Sequence, residues 1–301
     1  FYLDAALIAL QPAILHYEFG AMAAGKSYLK HQLDCRLSAS FRGYDLNYAG
    51  LEIPGYYDSL WKDADAIHLL GTDLWRAAQR RGCPRGMRHA LIPPAVDTNR
   101  VNRAERDHLG QTIGPDRPLR ILSAGRLEWV KGYEYALQAV RLLAERGIPF
   151  QYHIIGDGAY LEPLAFARHE LGLDDQVQFL GARSQPAVIE AMDWADVFLQ
   201  ASVSEGFCNA ALEAQAMELP VVATDAGGLP ENVADGQTGF VVPRRDAAAL
   251  CRKLAELAED GELRLRFGAA GRQRAVQCFA VPDQIAAFGR FYREMVTGRE
   301  N

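Results

Sequence analysis

A chain of 301 residues, 49% hydrophobic and 23% charged, carries core material for two domains of ordinary size. Its formal net charge of -6 argues against wholesale nucleic-acid binding and leaves one local basic stretch, Arg76, Arg80, Arg81, Arg85 and Arg88. Cys35, Cys83, Cys208, Cys251 and Cys278 lack the close pairs of a zinc site or a disulfide scaffold, so a reducing compartment is expected.

The early apolar run Ala5 to Leu15 is interrupted by Gln11 and Pro12 and is too short to cross a bilayer. No positively charged segment precedes it, so no signal peptide is expected. Apolar periodicity predicts a helix over 1–10, a strand over 13–16 and a helix over 20–30. A strand over 35–41, a helix over 56–62, a strand over 66–69, a helix over 73–81 and a short strand over 88–92 follow. This alternation is the pattern of a parallel sheet, and it begins with a helix where a doubly wound domain ordinarily opens on a strand. Pro93 and Pro94 mark the exit, and the polar stretch 97–117 reads as a linker.

A second alternation starts at Leu119, with a strand over 120–124, a loop over 125–132 and a helix over 133–146 whose apolar face holds Leu137, Val140 and Leu143. Arg126 and Lys131 bracket the loop, a planar fork and a point charge at a strand-to-helix junction suited to a diphosphate. The unit QYHIIGDGAYLEPL ends its strand on Gly156, Asp157 and Gly158, whose spacing fits neither a dinucleotide fingerprint nor a P-loop, so neither nicotinamide nor ATP is implied. These glycines either make the turn or let the backbone approach a ligand.

ADVFLQA, residues 195–201, reads as a buried strand, after which 202–207 turn before a helix beginning near Asn209. Free N–H groups at that helix start suit a diphosphate, with Glu205 before the helix and Glu213 inside it, able to lean toward ribose hydroxyls. The arrangement suits a nucleotide-sugar site better than a metal cage. Taken singly, each glutamate has a plainer reading, Glu205 satisfying nearby N–H groups and Glu213 on a solvated face.

The run SVSEGFCNAALEAQAMELPVVATDAGGLPE resembles the donor site of family 4 retaining glycosyltransferases, whose signature is the glutamate pair at Glu205 and Glu213. The resemblance extends through EN, DG and TGFVV and upstream through SAGRLEWVKG, IIGDG and VQFLG. It implies an α/β chain of GT-B type, two Rossmann-like domains facing across a cleft, the first lacking its opening strand. The domains implied are 1–98 on the acceptor side, a linker over 99–118, a donor domain over 119–281 and a last helix, 282–301, returning to the first domain. That helix carries Ile285, Phe288, Phe291 and Met295 at helical spacing, a stripe that packs either there or within the second domain.

Carried over residue by residue, the resemblance gives Glu205, Arg126 and Lys131 as catalytic. Gly156, Gly158, Arg183, Gly206, Phe207, Cys208, Asn209 and Glu213 become donor contacts, with 181–183 presenting backbone to the base. Cys208 stands where the family has glycine; its place near a helix start would lower a thiol pKa, which opens a nucleophilic role that glycosyl transfer does not require. On the acceptor side SFRGYDL resembles a segment in which histidine precedes glycine, but this chain has Arg42, which cannot act as a base. Two readings stand: an Arg42–Asp45 ion pair, or direct contact of both with the acceptor. His16, with Glu18 nearby, is either an acid or acceptor contact or a core-edge histidine.

The expected substrates are a nucleoside diphosphate sugar, with UDP and GDP left open, and a saccharide or lipid-linked saccharide, as in bacterial envelope and exopolysaccharide glycosyltransferases of the colanic-acid kind. No cofactor and no metal are expected, nor a nucleic-acid partner. The location expected is the cytoplasm, at the inner face of the cell membrane if the arginine stretch makes a weak peripheral contact; a solvated helix is the equal alternative. A noncatalytic sugar-nucleotide sensor or partner subunit is the main competing class, and a sugar-nucleotide epimerase the nearest competing enzyme.

Overall fold

The computed structural model describes residues 5–102 and 108–297, and the chain divides into two compact units, Phe1–Pro94 with Val281–Asn301, and Ala95–Ala280.

In the first unit β1 (Ile14–Tyr17), β2 (Arg36–Phe41), β3 (Ala66–Leu69) and β4 (His89–Leu91) form a parallel sheet in the order β1-β2-β3-β4. β2 and β3 are near-continuous buried runs, as a parallel sheet covered on both faces requires. The last helix, Val281–Thr297, belongs to this unit: Phe291 and Met295 are buried with Ala66 and Ile92, and Phe288 and Tyr292 pack beside them. Ile285 departs from the expected stripe and stands 65% exposed.

The helix expected over 20–30 is broken into Gly20–Ala23 and Leu29–Leu33. The cause is Gly25, whose φ of +72° turns the chain out of the helical path. Helical periodicity continues across the break in sequence, but a left-handed residue cannot continue a right-handed helix. A further short helix, Gly43–Asn47, follows β2 directly. The first helix runs Ala5–Leu10; residues 1–4 of its expected span lie outside the described residues.

The second unit holds β5 (Leu119–Ala124), β6 (Phe150–Ile155), β7 (Val177–Gly181), β8 (Val197–Gln200), β9 (Val221–Thr224) and β10 (Gly239–Val242), all parallel, in the order β10-β9-β8-β5-β6-β7. The chain builds outward from β5 to β7 and then returns to lay β8 on the other side of β5. Strand order therefore reverses between β5 and β8, and the loops at their carboxyl ends flank a crevice where open α/β sheets bind ligands. Leu137, Val140 and Leu143 of the helix Tyr133–Glu145 are buried, packing with Leu254 and Leu257 of the helix Ala247–Glu259 and with Ile121, Ile154 and Val222 of the sheet.

The polar stretch read as a linker is grouped with the second unit, and three arginines tie it there. Arg272 donates to the carbonyls of Thr98 and Val101 at 2.7 and 2.6 Å. Arg264, fully buried, holds the carbonyls of Leu109 and Gln111 together with that of Leu257, and Arg117 forks onto the buried Asp196 at 2.7 and 3.2 Å. Residues 103–107 of the stretch lie outside the described residues.

Candidate active site

Lys131 ends a short 3-10 turn, Trp129–Lys131, in the loop after β5, and Glu205 lies in the loop after β8. The reversal of strand order brings these two loops side by side. Lys131 Nζ donates to Glu205 Oε2 at 2.6 Å, the two side chains being 15% and 12% exposed. Ser202 donates to the same carboxylate oxygen at 3.3 Å and accepts from the Gln200 amide at 2.6 Å. Burial works against the charge on Lys131, but the adjacent Glu205 carboxylate outweighs it and holds the lysine pKa above its ordinary value. The ammonium is therefore a fixed cation at neutral pH.

The helix Asn209–Ala216 begins beside this pair, with Cys208 at its N-cap position and no side chain capping its first turn. A second segment braces the loop from behind. The Gly228 amide donates to the Glu205 carbonyl at 3.2 Å, Asn232 Nδ2 to the Cys208 carbonyl at 2.8 Å, and Thr224 Oγ1 to the Ser202 carbonyl. Gln215 in turn donates to Asn232 Oδ1 at 2.8 Å. Gly228 is obligatory here, since a Cβ would collide with the Gly206 carbonyl oxygen. Sequence reasoning missed Gln215, Thr224 and Asn232 as positioning groups. Their signal was polar side chains within otherwise apolar stretches, and all three are fully buried.

Of the other donor-side candidates, Gly156 sits at φ +144°, where a Cβ would strike the Gly125 carbonyl. The Gly156–Gly158 turn is thus fitted to the loop after β5, which it meets through Gly125 N–Ile155 O and Leu127 N–Asp157 O, each 2.9 Å. Arg126 is 74% exposed and pairs with Glu128 at 2.7 Å. Arg183 and Asn209 are exposed, whereas Gly206 and Phe207 are buried, Phe207 against Phe279. Glu213 is half-buried and accepts from Gln185 Nε2 at 2.8 Å, which joins the segment after β7 to the helix after β8. The lowered thiol pKa expected of Cys208 is reversed: burial, then Glu205, push it up to about 11, more than offsetting Lys131 and the helix start.

In the first unit the candidates gather at the carboxyl ends of β1 and β2. Asp45 is fully buried and its two oxygens accept from the backbone amides of Ala21 (2.9 Å) and Arg42 (2.8 Å). The side-chain ion pair with Arg42, one of the two alternatives expected for Asp45, gives way to this backbone clamp. The Arg42 guanidinium turns instead to Glu18 at 2.9 Å and lies over the Phe19 ring. His16 has both ring nitrogens engaged, with Ser38 at 2.7 Å and Ser40 at 2.9 Å.

Among the described residues no group of three or more His, Cys, Asp or Glu side chains stands close enough to hold a metal ion, and no helix is long and apolar enough to cross a membrane.

A sheet with its switch point between two loops that carry a partly buried Lys–Glu pair and a helix start fits the resemblance seen in sequence, and the pattern of the family described as Glycosyl transferases group 1 matches residues 106–274. The chain belongs to that family. Relatives of this group 1 chain include an Escherichia coli K12 protein named for colanic acid biosynthesis, glycosyltransferase WcaL. It is 32% identical over 257 residues, covering 82% of this chain and 61% of that one. The amylovoran biosynthesis glycosyltransferase AmsK of Erwinia amylovora is 34% identical over 184 residues, 59% of this chain and 44% of that one. The chain thus spans about six tenths of WcaL and less than half of AmsK. Among solved structures, sucrose-phosphate synthase from Thermosynechococcus elongatus superposes with a TM-score of 0.82 at 21% identity, over 98% of this chain and 77% of that one. HepE of Anabaena, in complex with UDP and glucose, gives 0.85 at 18% identity, over 97% and 82%. These likenesses place the fold in the GT-B class, with a Rossmann-like parallel sheet in each unit.

Proposed function

We propose that this group 1 chain is the working part of a retaining glycosyltransferase that moves a hexose from a UDP- or GDP-linked donor to a saccharide or lipid-linked saccharide. The second unit, Ala95–Ala280, holds the donor, and the first, Phe1–Pro94 with Val281–Asn301, holds the acceptor. The observation that carries the reading is the Lys131–Glu205 pair at the switch point, beside the uncapped start of the helix Asn209–Ala216.

In the proposed step the bond between the anomeric carbon and the diphosphate oxygen breaks, and the acceptor hydroxyl oxygen bonds to the same face of that carbon. The hydroxyl proton passes to the departing diphosphate, which leaves as the nucleoside diphosphate. Lys131, Arg126 and the helix amides stabilise the charge that grows on the leaving group, and Glu205 orients sugar hydroxyls and stabilises positive character near the anomeric carbon. Glu213 takes the ribose. The names of WcaL and AmsK support a surface polysaccharide as the acceptor class. Work on the cytoplasmic side, at an anionic membrane face, falls to Arg76, Arg80 and Arg85. Arg81 is spent on the carbonyls of Leu46 and Ala49, and Arg88 on Glu294.

The test is incubation of the full chain with α-linked UDP- and GDP-hexoses, acceptor saccharides and excess chelator, the product's anomeric configuration being read by NMR. An α-linked product formed in chelator is expected. An inverted product overturns the retaining assignment, loss of activity restored by Mg²⁺ overturns metal independence, and donor binding without hydrolysis or transfer points to a noncatalytic subunit.

A further inference from the structure

We propose that Gln185 selects the base of the donor, favouring bases whose ring nitrogen carries a hydrogen beside a carbonyl, as uracil and guanine do, over adenine and cytosine, whose corresponding nitrogen is a bare acceptor. The inference rests on the donor reading above and deepens it.

Gln185 opens the helix Gln185–Trp194, immediately beyond the loop that leaves β7, and its Nε2 lies 2.8 Å from Glu213 Oε1. A carboxylate accepts hydrogen bonds and donates none, so the carboxamide can meet Glu213 only through its NH₂ group. That contact fixes the orientation of the whole planar amide: its nitrogen faces Glu213 and its carbonyl oxygen is left as an acceptor. Burial raises the Glu213 pKa and the bond from Gln185 counters it, so amide and carboxylate each favour the other's state.

The placement follows from the helix. With the diphosphate at the start of the helix Asn209–Ala216, Glu213 lies four residues on, about 6 Å along the axis at roughly 1.5 Å per residue. This is the distance at which the ribose follows the phosphates. The second Glu213 oxygen then accepts from a ribose hydroxyl while the first is held by Gln185. The base, attached to the far side of the ribose, comes to the end of β7, where the fixed Gln185 oxygen awaits an N–H. The oriented amide discriminates between bases.

Calorimetry of UDP, GDP, ADP and CDP against the full chain and Gln185→Met tests this. Gln185 is exposed, and methionine keeps its length, so the fold is not at risk. The wild-type chain should bind UDP or GDP at least tenfold more tightly than ADP and CDP, and Gln185→Met should bring the four within about threefold, chiefly by weakening the favoured one. Gln185→Glu, which sets two carboxylates together, should weaken all four. A wild-type chain that binds all four equally, or a Gln185→Met chain that keeps the wild-type preference, overturns the base rule and leaves the donor reading standing. Failure of all four to bind overturns the donor reading and the base rule with it.

Discussion

Lys131 and Glu205 are 74 residues apart in sequence and 2.6 Å apart in the fold, on loops that leave neighbouring strands running in the same direction. Between those loops the sheet reverses its strand order. The pairing therefore follows from topology, and it places one fixed cation and one carboxylate where α/β sheets receive their ligands.

Replacing Lys131 by alanine should slow transfer about a hundredfold, the loss of roughly 3 kcal/mol expected when one charge-stabilising contact is removed from a pre-organised site. It also leaves the Glu205 carboxylate without its cation, so thermal unfolding must be measured beside the rate. Lys131→Met combined with Glu205→Gln removes both charges. The double variant should unfold close to wild type yet remain inactive, and recovery of activity with stability would assign the pair a purely structural role.

Much of this arrangement could be read from the chain. Glu205 and Glu213 stand either side of a strand-to-helix junction, and Lys131 precedes an amphipathic helix, so local pattern alone places them on the carboxyl side of two strands. The partners that shape their surroundings could not be read in the same way. Gln185–Glu213 and Asn232–Cys208 span 28 and 24 residues, and such pairings depend on how separate strands and helices register, which no periodicity encodes. The helix expected over 20–30 failed for a local reason, since a glycine inside a helical pattern gives no sign of the sign of its φ.

Asn232→Ala should loosen the loop that carries Glu205. It removes the side-chain donor from the buried Cys208 carbonyl, which keeps the Leu212 amide, and one of three acceptors from the Gln215 amide, which keeps the carbonyls of Ala211 and residue 232, so the cost is about 0.5–1.5 kcal/mol for each hydrogen bond lost. Denaturant unfolding should show that loss, with donor affinity falling as well. A variant as stable as wild type would show that the brace is dispensable.

The cysteines should divide sharply on alkylation. Burial raises the thiol pKa at Cys35 and Cys251, up to about 12 at Cys83 and up to about 11 at Cys208. Cys278 is the one exposed thiol among them. Since the thiolate is the reactive form, brief iodoacetamide treatment near pH 8 followed by peptide mass analysis should label Cys278 far ahead of the rest. Rapid labelling of Cys208 would restore the reactive thiol that its helix-start position suggested.

The first unit should lose stability on mild acidification, through a hydrogen-bonded chain that its own ends orient. His68 Nε2 lies 2.8 Å from the Ile92 carbonyl, which can only accept, so that nitrogen carries the proton and Nδ1 accepts from Ser40. Ser40, having given its proton to His68, accepts from His16 Nε2, and His16 Nδ1 accepts from Ser38. Both imidazoles are neutral in this order. Burial, with the other imidazole and Arg42 adding to it, lowers the His68 pKa to about 4, and burial lowers that of His16 against the pull of Glu18. The folded state thus binds fewer protons than the unfolded one below the ordinary histidine pKa of about 6.5. Stability is full above that pH and is lost as pH falls from 6.5 toward 4, by about 3 kcal/mol at most for His68. His68→Gln keeps an N–H for Ile92 and an oxygen for Ser40 but has nothing to titrate, so its urea midpoint should change less between pH 7 and 4.5 than that of wild type. Asp45, whose pKa burial raises, contributes with the opposite sign in both proteins, so the difference between the two profiles isolates His68. Superimposable profiles would remove His68 as the source of the acid sensitivity.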